Sequence, residues 1–222
     1  MSEKRATHIA ASFSQIHNII TRGLGVSLEN VQEFSRRGLQ DDKKPAGLLN
    51  YIRSLASVLN GHHLMEDELA FPYFRGKLPE APFDVLTEWH QKMVVKLDAT
   101  KAAVEKIEKD DQPEAALKDL ENALVWLNNA WRPHIRSETL EFINKADALV
   151  SVEEQLRLVK LFAEHSQKIA VPASLTVPFM LFNLPAEERL VFSQGMPEEL
   201  LQNLVPVVWK EQWESMRPFF LA

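Results

Sequence analysis

Apolar residues return along the first two thirds of this chain at the three-to-four-residue spacing of amphipathic helices, and strand-like alternation is hard to find anywhere. Ile9, Phe13, Ile16, Ile20 and Leu24 mark a helix over Ser2–Arg22, and Gly23 and Gly25 read as its break. A second short helical piece is expected over Ser27–Arg37, leading into a turn at Gly38–Asp42. Pro45 sits where the first turn of a helix tolerates it, and the pattern then continues to about Phe74, where Gly76 and Pro79 stop it. Pro82 opens a helix to about Lys109, and Pro113 opens another to about Lys145. Pro133 lies inside that last stretch, as a kink or as a break between two shorter helices. This order of long helices and short connections predicts an all-α fold, an antiparallel up-and-down four-helix bundle over residues 1–147.

The texture changes beyond Asp147. Pro172, Pro178, Pro185, Pro197, Pro206 and Pro218 cut the remainder into short pieces after a longer helix at Ser151–Ala170. Trp209, Trp213 and Met216 recur at helical spacing, followed by Phe219 and Phe220. Residues 148–222 therefore read as a C-terminal helical extension capping the bundle and shaping access to its interior. Its Trp/Phe helix is also the surface through which a homodimer would form.

The composition narrows the chemistry. At 222 residues, with 45% hydrophobic and 25% charged residues, the chain has the make-up of a globular domain with a real core. A net charge of −6 with scattered basic residues argues against a nucleic-acid surface. No run of about 18 apolar residues is present to span a bilayer, and Met1–His17 holds no long apolar stretch, so a cytoplasmic location is expected. The absence of cysteine excludes disulfides, thiolate metal sites and thiol nucleophiles.

Polar residues placed on the apolar stripes carry the remaining signal. His62 and Glu66 are four residues apart, as are His134 and Glu138, so each pair projects an imidazole and a carboxylate from one helix face. At about 100° per residue, Leu48, Leu55, Val58, Leu69 and Tyr73 fall within roughly 40° of His62, and Glu66 shares the sector. His63 falls at the edge of that face and Asp67 nearer solvent, as a partner for an imidazole N–H or merely solvated. Phe83, Leu86, Val94 and Leu97 share the side of His90; Leu120, Ala123, Leu127 and Ala130 share that of His134. His17 lies toward one margin of its stripe, near Phe13 and Leu24. Inward carboxylates cost several kcal/mol unless paired, protonated or metal-bound, and imidazole with carboxylate suits iron, manganese or zinc. His165 reads as a polar residue on a covering helix, and Tyr51 and Tyr73 as core filling.

His17, the run His62-His63-Leu64-Met65-Glu66-Asp67 with Phe71-Pro72, Glu88-Trp89-His90, and His134-Ile135-Arg136-Ser137-Glu138 together resemble the hemerythrin-like (HHE cation-binding) family over about residues 6 to 146. The resemblance implies a non-haem di-iron centre inside a four-helix bundle, often binding O₂ reversibly or sensing oxygen or iron. It assigns His17, His62, His90 and His134 as terminal ligands and Glu66 and Glu138 as bridges. Oxygen carriers of the family place two histidines one turn apart on the third helix, whereas His90 is flanked by Leu86 and Val94; His63 is the candidate for the missing ligand, and otherwise one metal keeps an open position. The resulting expectation is a protein that binds or senses O₂, iron or nitrosative stress. The alternatives are a di-iron oxidase or oxygenase acting on a small molecule or peroxide, and a regulatory module governed by metal occupancy.

Overall fold

The computed structural model describes residues 8–37 and 44–221. The turn expected at Gly38–Asp42 and the helix start expected before residue 8 lie outside the described residues. Among those described there is no strand, and no helix is long and apolar enough to cross a membrane. Four long helices form the bundle: α1 (Ile9–Arg37), α2 (Lys44–Met65), α4 (Phe83–Glu108) and α5 (Pro113–Glu138). α1 packs on α2, α2 on α4, α4 on α5, and α5 back on α1, so chain neighbours are spatial neighbours and the ring closes. Pro113 stands in the first turn of α5, as its fixed φ favours. Pro133 lies on the exposed face of α5 and the helix runs through it, so the reading as a break does not hold.

Gly23 and Gly25 do not break α1, which is one helix to Arg37. Gly23 is a packing residue. A Cβ there would lie 2.8 Å from both Leu55 Cδ1 and Phe179 Cζ, so the hydrogen lets α2 and the extension approach the α1 backbone. The helix tolerates both glycines because its buried stripe, Phe13 through Val31, is stabilised by packing rather than by intrinsic propensity.

Two of the long helices contain a π-helical turn. Glu66–Ala70 follows α2 and leads into α3 (Phe71–Arg75); Thr139–Ile143 follows α5 and leads into α6 (Asn144–Leu149). A π-turn takes in one more residue than an α-turn, so the inward face moves on by one position. The residues expected inward beyond Glu66 were Leu69 and Tyr73; both are half-buried, and Ala70 and Phe74 are fully buried in their place. Beyond His134, a continuous α-helix would bring Lys145 inward after about three turns, yet Ala146 is the buried residue.

The extension lies against α2. α7 (Val152–Ile169), capped by the Ser151 hydroxyl accepting from the Glu154 N–H, packs on α2 and α1. α8 (Ala173–Phe182) and the 3₁₀ segment Glu214–Phe219 also pack on α2; α9 (Ala186–Ser193), a π-helical stretch (Leu200–Val208) and α10 (Lys210–Trp213) connect them. Of the aromatic stripe, Trp213, Met216 and Phe219 are buried, whereas Trp209 and Phe220 are half-buried. Arg22 fastens this tail by donating to Asn183 Oδ1 at 2.7 Å, the Phe219 carbonyl at 3.0 Å and the Tyr51 hydroxyl at 3.2 Å.

The apolar interior forms two clusters. One holds Ile20, Leu24, Leu55, Leu97, Leu127 and Trp131; the other holds Ile9, Phe13, Phe71, Phe83, Phe142 and Phe162. Each long helix, taken with its continuation beyond the π-turn where it has one, changes from one to the other across a buried polar layer that contains His17, His62, His90 and His134.

Gly23→Ala is expected to destabilise the protein by about 1–3 kcal/mol, because a methyl group must be forced between close-packed side chains. Gly25→Ala, where a Cβ meets nothing within 4 Å, is expected to be neutral or stabilising by up to about 1 kcal/mol. Urea unfolding of both variants checks the pair, and equal effects would refute the packing role of Gly23.

Candidate metal centre

Each bundle helix delivers its polar residue to the same level. α1 supplies His17, α2 supplies His62 and His63, with Glu66 directly following, α4 supplies His90, and α5 supplies His134 and Glu138. All are buried, at 5% exposure for His17 and 2% or less for the others. Their ligating atoms converge in two groups, each with mutual separations within 4.8 Å: His63, Glu66, His90 and His134 in one, and His17, His62, Glu66 and Glu138 in the other. Glu66 belongs to both. One of its oxygens lies 3.3 Å from His62 Nε2 and the other 3.4 Å from His90 Nε2, so the carboxylate spans the two groups. Glu138 Oε2 lies 3.2 Å from His17 Nε2 and 3.8 Å from His134 Nε2, again reaching toward both.

The structure thus brings together all seven sequence-derived candidates, including His63. The edge of the α2 face on which His63 sits is covered by α4, and its ring stacks on His90 with centroids 4.0 Å apart and planes 11° from parallel. His63 therefore stands beside the single third-helix histidine, where a second one was lacking. Asp67 is half-buried, with Oδ1 3.0 Å from His90 Nδ1 and accepting from the Thr87 hydroxyl at 2.7 Å. The ring N–H is not aligned for a full hydrogen bond, but the carboxylate is in place to orient the ring. His165 stands outside both groups, with Nε2 2.8 Å from Glu68 Oε2.

Two aromatic residues line the centre: Trp131, which sequence reasoning passed over, and Phe13, which it placed near His17 only as part of the apolar stripe. Trp131 lies edge-on to His17 and tilted toward His63 and His134, and is held by its indole N–H donating to Thr21 Oγ1 at 2.8 Å. Phe13 is edge-on to both His17 and His62. Their signals were present: Trp131 precedes His134 by three positions and Phe13 precedes His17 by four, the spacings that share a helix face.

A cation fits this donor set. Both oxygens of Glu66 and of Glu138, and both ring nitrogens of His63 and His134, have no hydrogen-bond partner. Among the described residues, the ion-pair contacts of Glu66 and Glu138 are to histidines alone, with no lysine or arginine beside them. Buried groups of this kind are normally paired, and an imidazole–carboxylate set without thiolate has the donors that iron, manganese and zinc accept. Burial, reinforced by the neighbouring imidazoles, pushes His62 and His63 well below the usual histidine range. Burial lowers His134 to about 4. These rings are therefore neutral near pH 7, with a lone pair free. Burial and the adjacent Glu138 carboxylate push Glu66 well above the ordinary range. Burial acts on Glu138 in the same sense, but Glu66 and His17 together hold it below that range.

These shifts set the acid response of the metal-free protein. Between about pH 4.5 and 6.5 the unfolded chain protonates three imidazoles that the fold keeps neutral, while the fold holds one extra proton on Glu66. The unfolded state then binds more protons, so stability decreases as pH falls through this window; His134 alone accounts for about 2 kcal/mol of it. Thermal melting of the metal-free protein is expected to shift downward from about pH 7 to about pH 5. A flat profile would mean that these rings do not remain neutral.

Residues 8–146 match the family model described as the hemerythrin HHE cation binding domain. No curated protein and no solved structure matches the chain.

Proposed function

We propose that this chain, which belongs to the hemerythrin HHE cation-binding family, holds a pair of non-haem irons between its four long helices and there binds or senses O₂ or a related small molecule. The observation that carries the reading is the division of the buried donors into two groups with Glu66 common to both. His63, His90 and His134 would hold one metal, His17 and His62 the other, with Glu66 and Glu138 between them. When bound, such a pair would supply Lewis acidity and electrons to a small diatomic ligand.

The chain's own residues prepare the site for this use. Burial keeps His62, His63 and His134 neutral, so their ring nitrogens face the centre without first losing a proton. Asp67, fixed by Thr87, orients the His90 ring from behind. Phe13, Trp131 and Phe71, the last stacked on His90 at 5.6 Å, exclude water from the donors. In the metal-free protein Glu66 holds a proton beside Glu138, and that proton must leave before Glu66 can act as a shared anionic donor.

Binding is preferred over substrate oxidation because of His63. The oxidase reading rested on a ligand gap on the third helix, and His63 stacked on His90 stands in that gap. The aromatic tail, the other argument for a substrate-shaping cap, packs beside Gly47 and Ser54 in the first half of α2, about two to four turns before His62.

Purification without oxygen from iron-replete cells is expected to yield close to two irons per chain, with new absorption bands after air is admitted. A single zinc, or no metal and an unchanged spectrum, would refute the di-iron reading. Glu66→Ala is expected to reduce the metal content of both positions, since one carboxylate serves both groups; loss confined to one position would remove Glu66 as the shared ligand.

A further inference from the structure

The bundle has four seams between neighbouring long helices, and an element from outside the matched residues 8–146 covers one of them at the level of the ligands. That element is α7, which packs on both α1 and α2. Its Phe162 is buried and meets Phe13 edge-on, with centroids 6.3 Å apart. Phe13 in turn meets His17 at 6.0 Å and His62 at 5.9 Å. Only two aromatic rings therefore separate the outer helix from the histidines of one donor group.

α7 also grips the ligand-bearing stretch of α2 and its π-turn on both sides of the ligands. Before them, the Ser166 hydroxyl donates to the Gly61 carbonyl at 3.4 Å, and a Cβ on Gly61 would lie 3.3 Å from the Ser166 carbonyl oxygen. After them, His165 Nε2 lies 2.8 Å from Glu68 Oε2, in the π-turn that begins at Glu66. The Glu68 side chain is more than half exposed, so this contact adds little to global stability. Its position makes its effect local, on the turn that carries the shared carboxylate.

We infer that α7 closes the α1–α2 seam over the metal centre, with Phe162 and His165 as positioning residues that govern how quickly bound metal is lost. Neither residue offers an atom to the donor groups; Phe162 acts through Phe13, and His165 through Glu68. The inference rests on the metal-binding reading given above.

The test loads the full chain with ferrous iron without oxygen and follows release to a coloured chelator, alongside thermal melting of each metal-free variant. Phe162→Ala and His165→Ala are expected to release iron about tenfold faster, the lower end of the effect of residues that support metal ligands. His165→Ala should leave the metal-free melting temperature unchanged, and Phe162→Leu and His165→Gln should restore slow release. Trp213→Ala, in the distant tail, should lower the melting temperature without hastening release. Unchanged release from the α7 variants, or release that tracks melting temperature across all variants including Trp213→Ala, overturns the inference and leaves the metal reading intact. An unmodified chain that takes up no iron overturns both.

Discussion

The fold is organised around a buried polar layer that the protein alone does not neutralise. Five imidazoles and two carboxylates meet between two apolar clusters, and a carboxylate in such surroundings is tolerated only with a proton or a cation beside it. Hydrophobic burial above and below the layer keeps the four helices in place and holds the donors together, although burial itself is unfavourable to these polar groups in the metal-free state. Stability and site are therefore separable: the apolar clusters maintain the architecture, and the polar layer is the departure from it that the family's cation binding explains.

The two π-turns reconcile these demands. One begins at Glu66 and the other directly after Glu138, and each lets the apolar face resume one residue later than an α-helix would allow. Glu66 and Glu138 point inward by their four-residue spacing from His62 and His134, while Ala70, Phe74, Phe142 and Ala146 fill the second cluster beyond them. The weaker geometry of the π-turn is offset by a core that stays continuous around a site with its own geometric requirement.

This arrangement explains which features were readable in the sequence. The bundle was legible because helical periodicity reports burial directly, and six of the seven donors because they fall on the apolar stripes. Tyr73 was misplaced because a π-turn leaves no mark in the residue types that form it, and the phase count assumed an uninterrupted α-helix. His63 was placed only at the edge of its face because the neighbouring helix that covers that edge is a tertiary fact. Gly23 read as a break for a related reason: only the contacts with Leu55 and Phe179 distinguish a glycine that admits a neighbour from one that ends a helix. The extension was least readable, since its short helices take their direction from α2 and not from their own patterns.

The Arg22 clasp relates the two ends of the molecule in time as well as in space. Its guanidinium lies on the same helix as His17, yet it gathers a hydroxyl from α2, a side-chain oxygen from Asn183 and a carbonyl 197 positions further along the chain. The donor set is complete in sequence at Glu138, but the satisfaction of this half-buried charge waits for residues made much later. During synthesis the ligands are thus all present well before Arg22 can close onto the Phe219 carbonyl.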